Sequence, residues 1–251
     1  MPSRRTLVLG ALSAGLEPAL GAARSACRVE PFEGDRFVVC PYDPQTDDLR
    51  LAWRGPGGAP LGSLKALEAS LGADARRVRF AMNAGMYDPA RRPVGLFVAE
   101  GRTLRPLDRH DGAGNFYLKP NGVFWTGADG APHVTKTEAF ATSAAEPRWA
   151  TQSGPLLVRD GRLHPRISAN GTSLAVRNAV GVKPGEALFV ISQGKVSFGR
   201  LARFLRDGLG CPDALYLDGS VSSLWAPGLR RQDRRQDLGT FVVVLERGPV
   251  A

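Results

Sequence analysis

Short apolar runs that end in glycine or polar residues recur along this chain, and they predict a fold built mostly from strands. Residues 78–82, 214–217 and 240–245 are mostly apolar runs with the length of buried strands. Residues 49–53 alternate between apolar and other side chains, as expected for a half-buried strand. Asp160-Gly161 follows another apolar run and predicts a hairpin turn.

Two segments have helical periodicity instead. The first, residues 63–71, starts at the suitable N-cap Ser63, places three leucines on one face and stops before Gly72. The second, residues 199–210, has Leu201, Phe204, Leu205 and Leu209 on its apolar side. Many strands with few helices predict an α/β (mixed α+β) fold, with a multi-stranded mixed sheet core and a few flanking helices.

The N-terminal segment 1–26 has the features of an export signal. Paired arginines at positions 4–5 precede a mostly apolar stretch that ends in small residues. This order is typical of a secretory signal, and the arginine pair resembles the twin-arginine type. Glu17 and Pro18 interrupt the apolar stretch, which argues against a membrane span. We expect export to the periplasm or secretion, with cleavage between residues 22 and 26. The alternative is a disordered tail on a cytoplasmic protein.

After this segment we expect a single domain over residues 27–251, because no internal repeat or low-complexity linker divides it. Three cysteines allow one disulfide in an oxidising compartment, and three pairings are open. Cys27 and Cys40 flank residues 32–35, a predicted hairpin turn that would bring them nearly opposite each other. We therefore favour that pair over the two that include Cys211.

The formal charge is +9, from 33 basic and 24 acidic residues. The basic residues are scattered, and their densest group, residues 230–235, is interrupted by Asp233. Nucleic-acid binders more often show a basic face with interleaved aromatic residues, so we expect no nucleic-acid partner. The charge does suit a protein that handles anionic substrates.

Candidate chemistry lies at four strand edges, each of which places an amide, a hydroxyl or a charge beside a glycine. Glycine lets a ligand approach the backbone closely, and amide side chains both donate to and accept from sugar hydroxyls. Four such edges predict one polar cleft, provided that the fold brings them together. The edges are Asn83-Ala84-Gly85, Lys119-Pro120-Asn121-Gly122, Gln152-Ser153-Gly154-Pro155 and Asp218-Gly219-Ser220.

Asp218 is the candidate carboxylate, since it ends the apolar run 214–217 abruptly. By itself this stretch fits a tight turn equally well, in which Asp218 and Ser220 bond to their own backbone. Lys119 and Arg177 are candidate phosphate ligands, the arginine through its planar fork.

Five ordered motifs resemble those of the phosphodiester glycosidase family, and the resemblance spans residues 36–244. The family includes the lysosomal enzyme that uncovers mannose 6-phosphate and many exported bacterial domains. The motifs are Met82-Asn83-Ala84-Gly85-Met86, Lys119-Pro120-Asn121-Gly122-Val123-Phe124, Gln152-Ser153-Gly154-Pro155, Arg177-Asn178-Ala179-Val180-Gly181 and Leu217-Asp218-Gly219-Ser220-Val221-Ser222-Ser223.

The resemblance implies a hydrolase that cleaves the bond between a sugar's anomeric carbon and a phosphodiester oxygen. It implies a site lined by Asn83, Gly85, Asn121, Arg177, Asn178, Asp218 and Ser223. One departure bears on the substrate: the uncovering enzymes usually have Asp-Gly-Gly-Gly-Ser-Ser, whereas Ser220 and Val221 stand here in place of two glycines.

Together these inferences give the predicted site. The residues expected to act in catalysis are Asp218, Arg177 and Lys119. The residues expected to bind substrate are Asn83, Gly85, Asn121, Gln152, Ser153, Asn178, Gly219, Ser220 and Ser223. Because a phosphodiester is already a good leaving group, one carboxylate can suffice, either by activating water or by stabilising an oxocarbenium-like centre, where most glycosidases use two.

No cofactor is required by the sequence. Asp218 and nearby carbonyls are hard oxygen donors that suit Ca²⁺ or Mg²⁺, although no Asp-x-Asp cluster surrounds them. A serine-hydrolase interpretation fails because Ser220 lacks the Gly-x-Ser-x-Gly spacing. The leading hypothesis is therefore an exported hydrolase acting on a glycan or sugar phosphate of envelope or exopolysaccharide material. The alternative is a non-catalytic domain that binds carbohydrate or sugar phosphate on the same fold.

Overall fold

The computed structural model of the protein describes residues 27–248. Three α-helices occur in this part: α1 (Leu64–Leu71), α2 (Thr137–Thr142) and α3 (Phe198–Arg203). The strands are β1 (Arg28–Phe32), β2 (Asp35–Tyr42), β3 (Asp47–Ala52), β4 (Val78–Asn83), β5 (Phe97–Ala99), β6 (Arg102–Arg105), β7 (Gly122–Thr126), β8 (Pro132–Lys136), β9 (Trp149–Ser153), β10 (Leu156–Arg159), β11 (Arg162–Leu163), β12 (Asn178–Lys183), β13 (Glu186–Ser192), β14 (Asp213–Asp218), β15 (Leu224–Ala226), β16 (Arg231–Gln232) and β17 (Phe241–Glu246).

The strands form three sheets. Sheet I has the order β1-β2-β13-β12-β14-β10-β11, sheet II the order β16-β15-β4-β17-β3, and sheet III the order β6-β5-β9-β7-β8. The predicted class, strand-rich with few helices, is confirmed. The strands of the predicted mixed sheet core are arranged in three sheets, and the named strands of these sheets, in the described part of the chain, all pair antiparallel rather than in mixed directions. Several of these pairs are hairpins with short turns, and a short turn can join only antiparallel strands.

A central core lies where the inner faces of the three sheets meet. Phe189 of sheet I, Phe80 of sheet II and Phe124 of sheet III all belong to it, and Phe189 packs against both of the others at ring-centroid distances of 5.4 and 5.3 Å. Aromatic pairs at this spacing add to the stabilisation that burial provides. The sheets therefore share one apolar interior, which fixes how their edges meet.

Both helices that the sequence predicts are present, and each covers the outer face of a sheet. In α1 the Ser63 hydroxyl caps the helix by accepting a 3.1 Å hydrogen bond from Ala66 N–H, and Leu64 and Leu67 are buried against sheet II. The second helix is α3 followed by a π-helical turn, Phe204–Gly208, and it packs on sheet I. Strands such as β17 are continuously apolar because both of their faces are covered.

The favoured disulfide is confirmed. Cys27 and Cys40 are joined, with an S–S distance of 2.03 Å, across the β1–β2 hairpin that the sequence predicted. Cys211 is a buried free thiol. The predicted export signal, residues 1–26, lies outside the described residues. Among the helices of residues 27–248, none has the length and apolar character needed to cross a membrane.

Candidate active site

The candidate site forms where β14 ends in the middle of sheet I. Asp218 is the last residue of this strand and is directly opposite Asn178, the first residue of β12. The pairing register shifts between Asn178 and Ala179, so the regular ladder between the two strands is interrupted at this edge. Asp218 is 7 % exposed. The apolar run 214–217 thus anchors a nearly buried carboxylate at an edge that opens towards solvent.

Asn83, the last residue of β4 in sheet II, connects this edge to a second sheet. Its side-chain amide donates a 3.1 Å hydrogen bond to Asp218 Oδ2, and its Oδ1 accepts a 2.8 Å hydrogen bond from Ser223 N–H. Asn178 Nδ2 donates to the Asn83 carbonyl at 2.7 Å. Four residues that the sequence placed in one site, from three separate motifs, therefore form one buried hydrogen-bond network.

The Asp218 carboxylate also accepts hydrogen bonds from its own turn. Oδ1 accepts from Gly219 N–H and, at 2.7 Å, from Ser220 N–H. The contacts of the simple turn interpretation are thus present together with the network to Asn83. Burial is the largest influence on the pKa of Asp218 and raises it, while the backbone N–H groups and Asn83 partly oppose that rise. A carboxylate with a raised pKa is a stronger base once it is ionised.

Arg177 lies buried beneath the same turn. Its guanidinium donates to the Tyr216 hydroxyl at 2.9 Å, to the Val196 carbonyl at 2.9 Å and to the Ser173 carbonyl at 3.0 Å, and it stacks 3.7 Å from the Phe198 ring centroid. These partners are all neutral, and Arg177 forms no ion pair within residues 27–248. Its charge is therefore available to stabilise negative charge at this edge, while its donors hold the surrounding loops.

Gly219 has to be a glycine because of what lies next to it. A Cβ at this position would collide with the Tyr216 hydroxyl oxygen and would lie 3.0 Å from Arg177 Nη1. The turn therefore packs directly on the Arg177–Tyr216 pair. Ser222 closes the other side of the turn, where its hydroxyl donates to the Asp218 carbonyl at 3.0 Å.

A cavity of about 550 Å³ opens over this turn. Residues 219–223 form one wall, and basic side chains line much of the remainder. The lining charged residues are Lys195, Arg231, Asp233, Arg234 and Arg235. None of these five residues is among the site residues predicted from the sequence. The cluster of arginines in residues 230–235 comes soon after the Asp218 motif, and this proximity could have indicated that they belong to the site. Lys195 lies in a different loop, after β13, and no local sequence pattern indicated its position.

The edge at Gln152 and Ser153 makes internal contacts instead. Gln152 Oε1 accepts from the N–H groups of Leu96 and Asp108, and its Nε2 donates to the Asp108 carbonyl at 2.6 Å. Ser153 donates to the Leu217 carbonyl at 3.1 Å. A Cβ at Gly85 would collide with β9, because the loop after β4 crosses that strand closely. These three residues therefore pack the edges of β9, β4 and β14 together.

The Lys119 edge faces a different cavity, of about 670 Å³, which is also lined by His164. Lys119 Nζ forms an ion pair with Asp111 at 2.7 Å and donates to the Arg109 carbonyl. Asn121, two residues after Lys119, donates a hydrogen bond from its side-chain amide to the Phe116 carbonyl at 2.8 Å. The structure thus does not bring these two predicted site residues into the cavity above Asp218. Basic groups from other loops line that cavity instead.

No group of three or more His, Cys, Asp or Glu side chains in residues 27–248 is arranged to hold a metal ion. The hard oxygen donors predicted for Ca²⁺ or Mg²⁺ are Asp218 and neighbouring carbonyls. Two oxygens of Asp218, Oδ1 and the backbone carbonyl, already accept hydrogen bonds. A metal role therefore stays a prediction for experiment.

The fold and the site define a strand-rich domain with one buried carboxylate at a polar, cationic sheet edge. Residues 76–244, more than half of the chain, match the phosphodiester glycosidase family, and the protein belongs to that family. The chain is 35 % identical over 207 residues to the uncharacterized protein YigE of Escherichia coli K12, with 82 % of this chain and 80 % of YigE covered.

Two solved structures share the fold. One is the catalytic domain of zebrafish N-acetylglucosamine-1-phosphodiester α-N-acetylglucosaminidase, auto-inhibited by pro-peptide, with a TM-score of 0.60 and 16 % identity over 88 % of this chain and 82 % of that one. The other is a Burkholderia pseudomallei K96243 protein named for its predicted export, with a TM-score of 0.52 and 14 % identity over 84 % and 74 % of the two chains. At these identities the likeness concerns the fold.

Proposed function

We propose that this protein is an exported hydrolase that cleaves the bond between a sugar's anomeric carbon and the oxygen of a phosphodiester. The observation that carries the proposal is the Asp218 carboxylate, nearly buried and held by Asn83 and the Gly219–Ser220 turn at the edge of a cationic cavity. Membership of the phosphodiester glycosidase family and the fold shared with the zebrafish glycosaminidase domain support the reaction class.

In the proposed reaction, water adds to the anomeric carbon and the bond from that carbon to the phosphate oxygen breaks. Asp218 accepts the proton of the attacking water and later releases it to solvent. The products are a free sugar and a phosphomonoester. The departing phosphate carries its own negative charge, so it needs no strong acid to leave. Arg177, buried beneath the turn, favours that negative charge through its field.

Asn83, Asn178 and Ser223 act in this scheme as positioning residues, because they hold Asp218 and the turn through the buried network. Gly219 and Ser220 are assigned to substrate binding, since both line the cavity. Lys119, Asn121, Gly85, Gln152 and Ser153 receive no catalytic step, because their contacts serve loop and strand packing.

Export is part of the proposal. The Cys27–Cys40 disulfide fits an oxidising compartment, and the B. pseudomallei structural relative is named for export. A fusion of residues 1–26 to a reporter that is active only after export tests this step. Loss of export when Arg4 and Arg5 are both replaced by Lys would identify the twin-arginine route.

The reaction is tested with purified protein and a panel of sugar-1-phosphodiesters, assayed with EDTA and again with Ca²⁺ or Mg²⁺. Asp218→Asn should lower turnover by about 10²–10⁴-fold, the contribution typical of a positioned base. Asp213→Asn, at the opposite end of β14 and outside the cavity, is the matched control and should retain activity.

Wild-type turnover by the Asp218→Asn variant would remove Asp218 from the mechanism. Tight binding of sugar phosphates without release of sugar, from every member of the panel, would instead favour the non-catalytic binding domain. Restored activity only with a divalent cation would assign a metal to the site.

A further inference from the structure

The cavity above Asp218 holds more positive charge than a single phosphodiester needs. Four basic side chains and one carboxylate line it. Arg231 and Asp233 neutralise each other in a bidentate pair, with distances of 3.0 and 2.7 Å. Three cations are left: Lys195, Arg234 and Arg235. Since Asp218 is nearly buried behind the turn, these three dominate the charge that a ligand meets on entry.

None of the three cations has an anionic partner in the part of the chain that the structure describes. Arg235 donates to the neutral carbonyl of Ser220 at 2.7 Å. Lys195 and Arg234 make neither a hydrogen bond nor an ion pair with residues 27–248. Pairing is common elsewhere on the surface, as between Arg92 and Asp88 at 2.7 Å. Three cations without an anionic partner therefore lie together in the cavity where the proposed substrate enters.

Their positions place this charge on two sides of the catalytic turn. Arg234 and Arg235 follow β16, and Arg235 is fixed to the turn itself through Ser220. Lys195 comes from the connection between β13 and α3. A substrate that lies across the turn would thus meet positive charge from two separate loops. A phosphodiester bears one negative charge, so only part of this set of three cations is needed to neutralise it.

We infer that the natural substrate is a sugar-1-phosphodiester whose aglycone carries at least one further phosphate group, as in a chain of repeating sugar phosphates. This inference rests on the proposed function and specifies its substrate class. Lys195, Arg234 and Arg235 are the specificity-determining residues. They attract the polyanion, and their long-range field makes the preference depend on salt.

The test compares two substrates with the same sugar. One is the methyl phosphodiester, with a single negative charge. The other has a 2-phosphoethyl aglycone, which adds a phosphomonoester. Wild-type protein should show at least a 10-fold higher kcat/KM for the second substrate at low salt, and the ratio should fall as salt is added.

In Lys195→Gln/Arg234→Gln protein, the ratio of the two kcat/KM values should fall to within about 2-fold of unity, because most of the unpaired charge is gone. Arg92→Gln is the matched control: Arg92 is also a surface arginine, but it does not line this cavity, so its ratio should stay that of the wild type. Equal kcat/KM for both substrates in wild type, or an unchanged ratio in the double variant, overturns the inference.

Calorimetry separates this inference from the proposed reaction. Both compounds are titrated into Asp218→Asn protein, with and without the Lys195→Gln/Arg234→Gln pair. If neither compound is hydrolysed by wild type, but the 2-phosphoethyl compound binds at least 10-fold more tightly and loses this advantage in the charge variant, the reaction is wrong and the polyanion preference stands. Equal affinities of the two compounds overturn the preference.

Discussion

The side-chain amide of Asn83 donates a 3.1 Å hydrogen bond to the carboxylate of Asp218, across 135 residues of sequence and between two sheets. Both groups are nearly excluded from solvent, Asn83 completely. A hydrogen bond to the ionised form favours that form, so Asn83 limits the rise in the pKa of Asp218 that burial causes. The ionisation of the proposed base therefore depends on a residue that β4 supplies.

Asn83→Asp should move the acidic limb of the pH–kcat profile to higher pH. The new carboxylate lies against Asp218, and like charges disfavour ionisation, so the apparent pKa of the base rises. Asp218 must be ionised to accept a proton, so activity is lost at a higher pH as the solution is acidified. The measurement is kcat from pH 4 to pH 9 on a sugar-1-phosphodiester.

Asn170→Asp, an exposed site, is the control for this profile and should leave it in place. A uniformly lower kcat with an unshifted acidic limb in Asn83→Asp would mean that Asn83 only maintains structure. Thermal unfolding of the same variant distinguishes loss of fold from a change in ionisation.

Gly219→Ala should lower both stability and activity, and Tyr216→Phe should partly rescue the loss. The added methyl collides with the Tyr216 hydroxyl, and removing that oxygen relieves the worst contact. Tyr216→Phe alone loses the 2.9 Å hydrogen bond from the charged Arg177 guanidinium, at a cost of about 1.5–3 kcal/mol. Because the two positions touch, their effects on the free energy of unfolding should be non-additive by about 0.5–3 kcal/mol.

The matched control for this cycle is Gly228→Ala, since a Cβ at Gly228 meets no atom within 4 Å. Denaturant unfolding of the wild type and the single and double variants gives the coupling. Additive effects, or a Gly219→Ala variant as stable as Gly228→Ala, would contradict this close packing of the turn on Tyr216.

Loss of the Cys27–Cys40 disulfide should reduce the free energy of unfolding by about 3 kcal/mol, the loop-closure value for a short loop such as this one, with a separation of 13 residues. Reductant should lower the stability of wild type to that of Cys27→Ser and leave the variant unchanged. Burial raises the pKa of the Cys211 thiol to about 12, so native protein should show no rapid thiol labelling before reduction. Reductant-insensitive stability in wild type would show that the bond contributes little.

Local sequence patterns predicted much of the fold, and the reasons are short-range. The Ser63 cap, the leucines of α1 and the turn at residues 33–34 act within a few residues of one another, so periodicity and turn chemistry reveal them. The cysteine pair followed from the hairpin for the same reason. Sheet membership depended on longer-range pairing, such as that of β4 with β17, about 160 residues away, which no local pattern encodes.

The sequence by itself determined the class of fold, the disulfide and the set of polar strand edges that includes Asn83, Asn178, Asp218 and Ser223. Only the tertiary structure decided which edges meet. Sheets I and II join the Asp218 and Asn83 edges, while Lys119 faces another cavity and Gln152 bonds to neighbouring backbone. The structure also placed Lys195 and Arg234 in one cavity. The physical reason is that the polar residues at the end of a strand can be read from the local sequence. Which strand ends lie next to one another in space depends instead on how three sheets bury one shared core.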